Sequence, residues 1–279
     1  MECDLSDIFA KYEALVADVD TVFERVHEQY SDCVKCSVGC SDCCHALFDL
    51  SLIEAMYLNV KFNEKYSGQE RSDILDRADS ADRATYKIKR QAFKASRDGA
   101  VASEIVDLVS HARVRCSLLN GKDACDLYEF RPITCRLYGI PTAIGGRAHT
   151  CAKSGFEGGK QYPTVKIDKI QDRLMELSRE LAGRLNSHFD QLSEMLVPVS
   201  MALMNKYDDE YLGIDKEKKP AAPLAAPVEE PAAPAPGKTA EKELSKTSCD
   251  TCGEAPGSSA CSSCSGAQVW EFGAASEKK

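Results

Sequence analysis

Clustered cysteines constrain this chain more than any other feature of its sequence. It has fourteen cysteines in 279 residues, and all except Cys3 fall into four groups. The groups are Cys33, Cys36, Cys40, Cys43 and Cys44; Cys116 and Cys125; Cys135 and Cys151; and Cys249, Cys252, Cys261 and Cys264. Cysteines separated by two or three residues can direct their thiolates at one ion or cluster, whereas that spacing is poor for disulfides between them. The pattern therefore predicts metal or iron–sulfur binding.

The amino-terminal sequence favours the same interpretation. Residues 1–9 include Asp4 and Asp7 and lack the basic start and apolar run of a signal peptide. No apolar stretch approaches the roughly 20 residues that a membrane-spanning helix needs. We therefore expect a cytoplasmic protein with no membrane attachment, in a reducing environment where clustered cysteines act as ligands rather than disulfides.

The net charge argues against one class of partner. The chain carries a formal charge of −9 and has a pI near 5.2. Such an acidic chain offers little basic surface to neutralise phosphates, so we expect no nucleic-acid partner.

A change in composition divides the chain into three parts. Residues 216–240 are rich in Lys and Glu and then in Ala and Pro, with no aromatic residue, and cannot bury a core. The composition predicts a cysteine-cluster metal-binding domain over residues 1–212, a disordered Pro/Ala-rich linker over 213–246 and a small four-cysteine module over 247–273.

Hydrophobic periodicity in the first part predicts helices. Apolar residues at steps of three and four indicate a helix of about 25 residues between Leu5 and Tyr30, which we expect to pack over the cysteine region. Ser51 and Glu54 form a capping-box pattern ahead of a second helix. Further helices are predicted at 72–96, largely solvated; at 102–114, with Ile105, Val106, Leu108 and Val109 facing inward; and at 167–189. Strand-like runs are few, so the prediction is a mostly α fold, with helices and loops wrapped round a cysteine-ligated metal centre.

The segment before Cys135 predicts a turn. Pro132 lacks a backbone donor and disfavours helix at the residue before it, so we expect Cys135 to lie in a loop. Tyr128 and Tyr138 are interpreted as packing residues.

Two arginines flank the same cysteine. Arg131 and Arg136 could keep the Cys135 thiolate deprotonated and offset the charge of a thiolate-bound cluster. Ordinary ion pairs with Glu129 or Asp126 are an equally good interpretation.

These motifs resemble a known family. Cys36-x3-Cys40-x2-Cys43-Cys44, then Tyr128-Glu-Phe-Arg-Pro-Ile-Thr-Cys-Arg136, then Cys151, is similar to the YkgJ-type cysteine-cluster family, whose domain is described as zinc- or iron-chelating. The resemblance covers roughly residues 33–155 and implies eight family-type cysteines, with Cys33 an extra. Those eight are Cys36, Cys40, Cys43, Cys44, Cys116, Cys125, Cys135 and Cys151. Relatives include flagellin lysine N-methylases.

The number of thiolates bears on the identity of the metal. Eight can form two four-ligand centres or hold one cluster with thiols to spare, whereas one zinc would use only four. We therefore favour an iron–sulfur cluster over zinc in the main domain, and a zinc or iron ion stays the alternative. Cys43 and Cys44 are adjacent and are expected to serve different metals or different irons. His45 and His149 could replace a sulfur ligand, although a histidine beside a cysteine is more often a supporting or surface residue.

The carboxy-terminal cysteines form a separate pattern. Cys249 and Cys252, and Cys261 and Cys264, are two short pairs followed by small residues, as in zinc-binding turns. With no other core nearby, the metal would supply the folding energy. We predict a zinc site that recruits a protein partner, against the alternative of a disordered cysteine-rich tail.

Two function classes follow from these observations. The first is a metal-binding protein with an accessory, redox or metal-handling role, which needs only the thiolates. The alternative is a protein lysine N-methylase related to the flagellin methylases. That enzyme needs a methyl-donor site, and the chain has no Gly-x-Gly-x-x-Gly loop. A nucleophilic role for Cys135 is a weaker third interpretation.

Overall fold

A computed structural model describes residues 4–214 of the chain. Seven α-helices form most of this part. They are α1 (Ser6–Gln29), α2 (Leu52–Lys65), α3 (Gly68–Arg97), α4 (Ala102–Ser110), α5 (Ile133–Leu137), α6 (Ile167–Leu185) and α7 (Val199–Met204). Cys3, most of the predicted linker and the predicted four-cysteine module lie outside the described residues.

Five short strands complete the described part, which confirms the mostly α prediction. They are β1 (Asp49–Ser51), β2 (Thr142–Ile144), β3 (Arg147–His149), β4 (Val165–Lys166) and β5 (Leu196–Pro198). β1 pairs antiparallel with β5, with Leu50 opposite Val197. β2 lies between β3, its antiparallel partner, and β4, its parallel partner. Gly145 and Gly146 form the β2–β3 turn with φ of 55° and 78°, a backbone conformation that glycine adopts without strain.

The first helix has the position and the apolar stripe that the sequence predicts. Its 24 residues bury a side chain at almost every turn: Ile8, Tyr12, Leu15, Val19, Val22 and Val26. This stripe packs on α2, α5 and α6. Because α5 carries Cys135, the expectation that α1 covers part of the cysteine region is confirmed.

Helix α2 is the central element and separates two apolar clusters. Ile53 and Met56 join the cluster formed with α1 and α6, whereas Leu58 and Phe62 join the cluster formed with α3 and α7. The predicted capping box is present: the Ser51 side chain accepts a hydrogen bond from the Glu54 backbone N–H, and Ser51 N donates to Glu54 Oε2 at 3.2 Å. Ser51 Oγ also donates to Glu54 Oε2 at 3.0 Å.

Two predicted helix ends are too late. The helix predicted to reach residue 114 ends at Ser110, because the following residues pair instead with the first cysteine group: Val114 N donates to His45 O at 3.1 Å. Leu108, expected to face inward, is 38% exposed. α6 ends at Leu185 because Asn186 adopts a left-handed φ of 51°, which asparagine tolerates better than most residues.

Among the described residues, none of the helices has the length and apolarity needed to cross a membrane.

Candidate metal centre

One cavity collects every cysteine of the first three groups except Cys33. It has a volume of about 600 Å³ and lies between the first cysteine loop, the segment 114–125, the start of α5 and Cys151. All eight family-type cysteines line it: Cys36, Cys40, Cys43, Cys44, Cys116, Cys125, Cys135 and Cys151. Sequence spacing alone could not show that cysteines 115 residues apart line the same space.

Tight turns position the first four of these cysteines. Cys40 N donates to Ser37 O at 3.0 Å, and Gly39 within that turn has a φ of 87°. A 3₁₀ turn over Cys43–His45 follows, closed by a hydrogen bond from Cys44 N to Ser41 O at 3.0 Å. Successive turns of this kind reverse the chain several times, so that neighbouring thiols reach the same cavity.

A hairpin-like segment brings in the next two cysteines. Cys116 N donates to Cys44 O at 2.7 Å, which places the two cysteines side by side on paired segments. Cys125 then pairs with Leu119 across a bridge closed by Asn120 N donating to Ala124 O at 2.9 Å. The second cysteine group is therefore held against the first by backbone hydrogen bonds.

Cys135 lies in a helix, and the prediction of a loop is wrong. Pro132 does turn the chain, but it stands immediately before α5, where its fixed φ of −59° suits a helix start and its missing donor is not needed. The buried Glu54 carboxylate accepts a hydrogen bond from Ile133 N at 3.2 Å. The Glu54 carboxylate thus accepts backbone hydrogen bonds at the start of both α2 and α5. It ties the helix that carries Cys135 to the core.

A network centred on Asp42 positions the last cysteine. Asp42 accepts hydrogen bonds from Arg113 Nη2 at 2.7 Å and from Tyr138 Oη at 3.1 Å. The Cys151 thiol lies 3.7 Å from Asp42 Oδ2, within reach of a weak sulfur hydrogen bond. Burial alone would raise the pKa of Asp42, but the hydrogen bond from Tyr138 and the charge of Arg113 lower it below the usual value. The carboxylate stays ionised and links the first loop to the third cysteine group.

Burial and crowding hold most of the thiols in their protonated form. Burial raises the pKa of Cys36 to about 11 and that of Cys125 to about 12, and neighbouring cysteines add to both shifts. Burial likewise raises the pKa values of Cys116, Cys135 and Cys151.

Cys43 differs from the other thiols. The Cys44 thiol donates a hydrogen bond to the Cys43 sulfur, which lowers the pKa of Cys43 and raises that of Cys44. The two thiols titrate as a pair, and the Cys43 sulfur, which accepts the hydrogen bond, is the one that loses its proton more readily.

The two arginines separate into different roles. Arg136 is 7% exposed, forms an ion pair with Asp20 at 2.5 Å and donates to the carbonyl oxygens of Arg131 and Glu129. Arg131 lies 4.0 Å over the Tyr128 ring, and its charge lowers the pKa values of Cys36, Cys43 and Cys135 against the effect of burial.

Neither arginine forms the predicted side-chain ion pair with Glu129 or Asp126 among the described residues. Asp126 instead pairs with Arg77 at 2.6 Å. The electrostatic interpretation is therefore supported for Arg131, whereas Arg136 is a structural residue.

Three residues that the sequence singled out, Cys33, His45 and His149, do not line the cavity, whereas Tyr128 lies at its rim. Cys33 packs against the α1–α6 cluster, as expected for an extra cysteine. His45 Nδ1 lies 3.0 Å from Ser41 O, and His149 is exposed in β3. Tyr128 is 62% exposed and is not the core residue that we predicted, because it supports Arg131 at the cavity rim.

The donor atoms of these side chains are chemically suited to a metal centre. Thiolates are the preferred ligands of zinc and of iron–sulfur clusters, and Arg131 supplies positive charge beside them. Within residues 4–214, however, no three Cys, His, Asp or Glu side chains lie close enough together to hold a single metal ion. The thiols surround a space instead of converging on a point.

Sequence reasoning missed three residues of this site. Asp42 and Arg113 form the network that holds Cys151, and the buried Ser117 lines the cavity. The one sequence signal for Asp42 and Ser117 is that each lies next to a cysteine, Cys43 and Cys116.

Comparison with known proteins agrees with this geometry. Residues 32–152 match a family model described as "Putative zinc- or iron-chelating domain", with the signature CxxCxxCC. The matched segment contains all eight cavity cysteines and agrees with the resemblance that the sequence motifs implied. No curated protein and no solved structure matches the chain.

Proposed function

We propose that the eight cavity cysteines bind an iron–sulfur cluster in preference to zinc, in a protein with a redox, metal-handling or other accessory role. The observation that carries the proposal is that eight thiols line one cavity of about 600 Å³. The family match supports zinc or iron binding in general and does not distinguish between them.

The number of cavity thiols supports the preference for a cluster. One zinc ion binds four thiolates, whereas eight thiols line this cavity. Iron–sulfur clusters are also held by four thiolates each, so two clusters, or one with thiols to spare, would use these ligands.

The surrounding residues would tune such a centre. Arg131 offsets the negative charge of bound thiolates, and Asp42 orients Cys151. Glu54 fixes the helix that carries Cys135. An iron–sulfur cluster held by these residues would supply one-electron transfer.

The test is the iron, zinc and acid-labile sulfide content of protein purified without oxygen, with its visible absorption spectrum. We expect iron and sulfide in similar amounts in the main domain. Cys135→Ser should lower both, whereas Cys33→Ser is the matched control and should leave them unchanged. Zinc without sulfide would overturn the cluster proposal, and no metal at all would overturn metal binding by these cysteines.

Other parts of the functional interpretation remain predictions. The zinc-binding module with Cys249, Cys252, Cys261 and Cys264 and its protein partner lie outside the described residues, and a cytoplasmic location is an expectation from the sequence. The lysine methylase alternative rests on family resemblance alone, since no described contact favours it over metal binding.

A further inference from the structure

The charges of helix α3 are segregated along its length. Residues 68–82 contain five acidic and two basic residues, whereas residues 83–97 contain six basic residues and no acidic one. This basic half stands out in a chain whose net charge is −9. The helix packs on the rest of the described chain through another face, which consists of Ile74, Ala78, Thr85 and Ala92.

One row of charged side chains follows the outward face of α3. Its members recur at steps of three and four, which is the spacing of one helix face, and all of them are exposed. The charged row consists of Asp76, Asp79, Arg83, Lys87, Arg90, Lys94 and Arg97. Within residues 4–214, the one salt bridge of the row joins Arg83 to Asp79 at 2.7 Å. Its other members have no salt-bridge partner in that part of the chain.

This arrangement is unfavourable for a helix on its own. Like charges three or four residues apart destabilise a helix, and the five cations from Arg83 to Arg97 are successive neighbours of this kind. The helix dipole favours acidic residues at the start and basic residues at the end only within the first and last turns. Asp79, Arg83 and Lys87 lie in the middle of the 30 residues, so the dipole does not account for them. Opposite charge from another molecule would offset the repulsion.

We propose that the charged row binds the same row of a second copy of the chain, with the two α3 helices antiparallel. With a two-fold axis at Arg83, Asp79 of one copy lies opposite Lys87 of the other. Asp76 likewise lies opposite Arg90, and the symmetry repeats both pairs. The two Arg83 side chains meet at the axis, where each is neutralised by Asp79 of its own helix. The acidic half of each helix therefore faces the basic half of the other.

Two aromatic rings supply apolar area beside these charges. Tyr86 and Phe93 lie at the edge of the same face and are 63% and 66% exposed. Exposed ion pairs alone contribute little to association, whereas aromatic side chains are enriched in the buried centre of protein interfaces. The antiparallel pair would cover both rings.

A second copy is the partner that satisfies both halves of the charged row. A nucleic acid or an anionic membrane would attract the basic half, but Asp76 and Asp79 on the same face would repel it. The pairing does not depend on the proposed metal function. It has a consequence for the cavity, since Ala81 and Thr85 of α3 line it: the two cavities would lie on either side of the helix pair.

Sedimentation velocity of the full chain tests the pairing. The protein is kept without oxygen and with reductant, so that disulfides between copies do not form. Between about 5 and 200 µM, a range suited to a transient interface, we expect the sedimentation coefficient to rise toward that of a dimer. Raising the salt concentration from about 0.05 to 0.5 M should weaken association at least about ten-fold, because the charges are exposed.

Charge reversals test the register. Asp76→Arg and Arg90→Glu should each weaken association at least about ten-fold, since the symmetry places like charges opposite each other twice. The double variant restores opposite charges and should associate within about three-fold of the original chain. Arg179→Glu is the matched control, because it makes the same charge change at an exposed position of α6, and it should leave association unchanged.

Metal content and thermal unfolding of the same samples separate this proposal from the metal centre. All the variants should fold and bind metal as the original chain does, because the charged row is exposed and does not line the cavity. A monomer at every concentration, with or without binding to phosphatidylserine vesicles or an oligonucleotide, would overturn the pairing. A double variant as weak as the single variants would also overturn it. A dimer without metal, dissociated by either single reversal, would support the pairing and overturn the metal proposal alone.

Discussion

The helical core and the cysteine cavity lie side by side but are stabilised by different forces. In the core between α1, α2 and α6, side chains such as Ile8, Val19 and Leu181 are completely buried and apolar. Each contributes roughly 1.5–3 kcal/mol by leaving water. This region holds its shape through its own side chains.

The cavity has few such contacts. The walls that carry its thiols are turns, a five-residue helix and paired loop segments, and the thiols raise one another's pKa values. In the metal-free chain the thiols with raised pKa values, such as Cys36 and Cys125, remain protonated and contribute little attraction. The comparison indicates that apolar burial determines the core, whereas a bound group completes the cavity.

Removing the metal should produce the largest difference between the two regions. Because ligand bonds contribute directly to folding energy, chelation should raise amide hydrogen-exchange rates in residues 33–48 and 113–151 at least about 100-fold. α1, α2 and α6 should change far less. Exchange measured by mass spectrometry before and after chelation tests this, and equal changes in both regions would contradict the proposed division.

A core substitution should have the opposite pattern. Leu181 is fully buried in α6, so Leu181→Ala should lower the free energy of unfolding by about 2–5 kcal/mol. The metal content per folded chain should stay unchanged, because Leu181 does not line the cavity. Denaturant unfolding together with metal analysis measures both quantities. A loss of metal without a loss of stability would show that the regions are not separable.

Gly139 offers a change at the cavity that leaves the core intact. A Cβ at this position would lie 2.2 Å from Cys36 Sγ, so Gly139→Ala must rotate the thiol away. We expect metal affinity to fall about 10–100-fold, as for loss of other supporting contacts. Gly158→Ala is the control, since a Cβ there meets nothing within 4 Å. Equal metal affinity in both variants would exclude Cys36 as a ligand.

The sequence predicted the core better than the cavity, for a physical reason. The stripe of α1 and the capping box at Ser51 are local patterns, and each specifies its element without distant contacts. The family resemblance likewise named all eight thiols that line the cavity.

The supporting residues depend on contacts between distant segments. Asp42 meets Arg113, Tyr138 and Cys151 only after the chain has folded, and no local pattern marks it. The misplaced end of the fourth helix has the same origin, since residues 113–116 pair with the first cysteine group. Cys135 was misplaced because the helix start at Ile133 relies on Glu54, which lies 79 residues earlier.

The raised thiol pKa values predict a pH effect of intermediate size. Metal must displace protons from thiols such as Cys36 and Cys125, whose pKa values are about 11 and about 12, so the apparent metal affinity should rise with pH. Competition with a chelator from about pH 6.5 to 8.5 measures this. An affinity independent of pH would contradict thiol ligation.

The stability of the metal-free protein should fall as the pH rises, which is the opposite of the trend in metal affinity. A thiol that titrates near pH 9.0 when unfolded and near 11 or 12 when folded keeps more protons in the folded state. The contribution of these thiols to the free energy of unfolding is therefore fully present below about pH 9, and it falls as the pH rises toward about 12. Chelated protein unfolded by denaturant at several pH values tests the sign.

Arg131 should have the smallest effect, and it acts only on the cavity. Its charge lowers the pKa values of Cys36, Cys43 and Cys135, so Arg131→Gln should raise them and weaken metal binding about two- to five-fold. Stability of the core should not change, because the side chain packs on the exposed Tyr128. Arg131→Lys keeps the charge and should bind metal nearly as well as the original chain. If the Lys variant binds as weakly as the Gln variant, the stacked guanidinium matters for its shape, and the electrostatic interpretation of this residue fails.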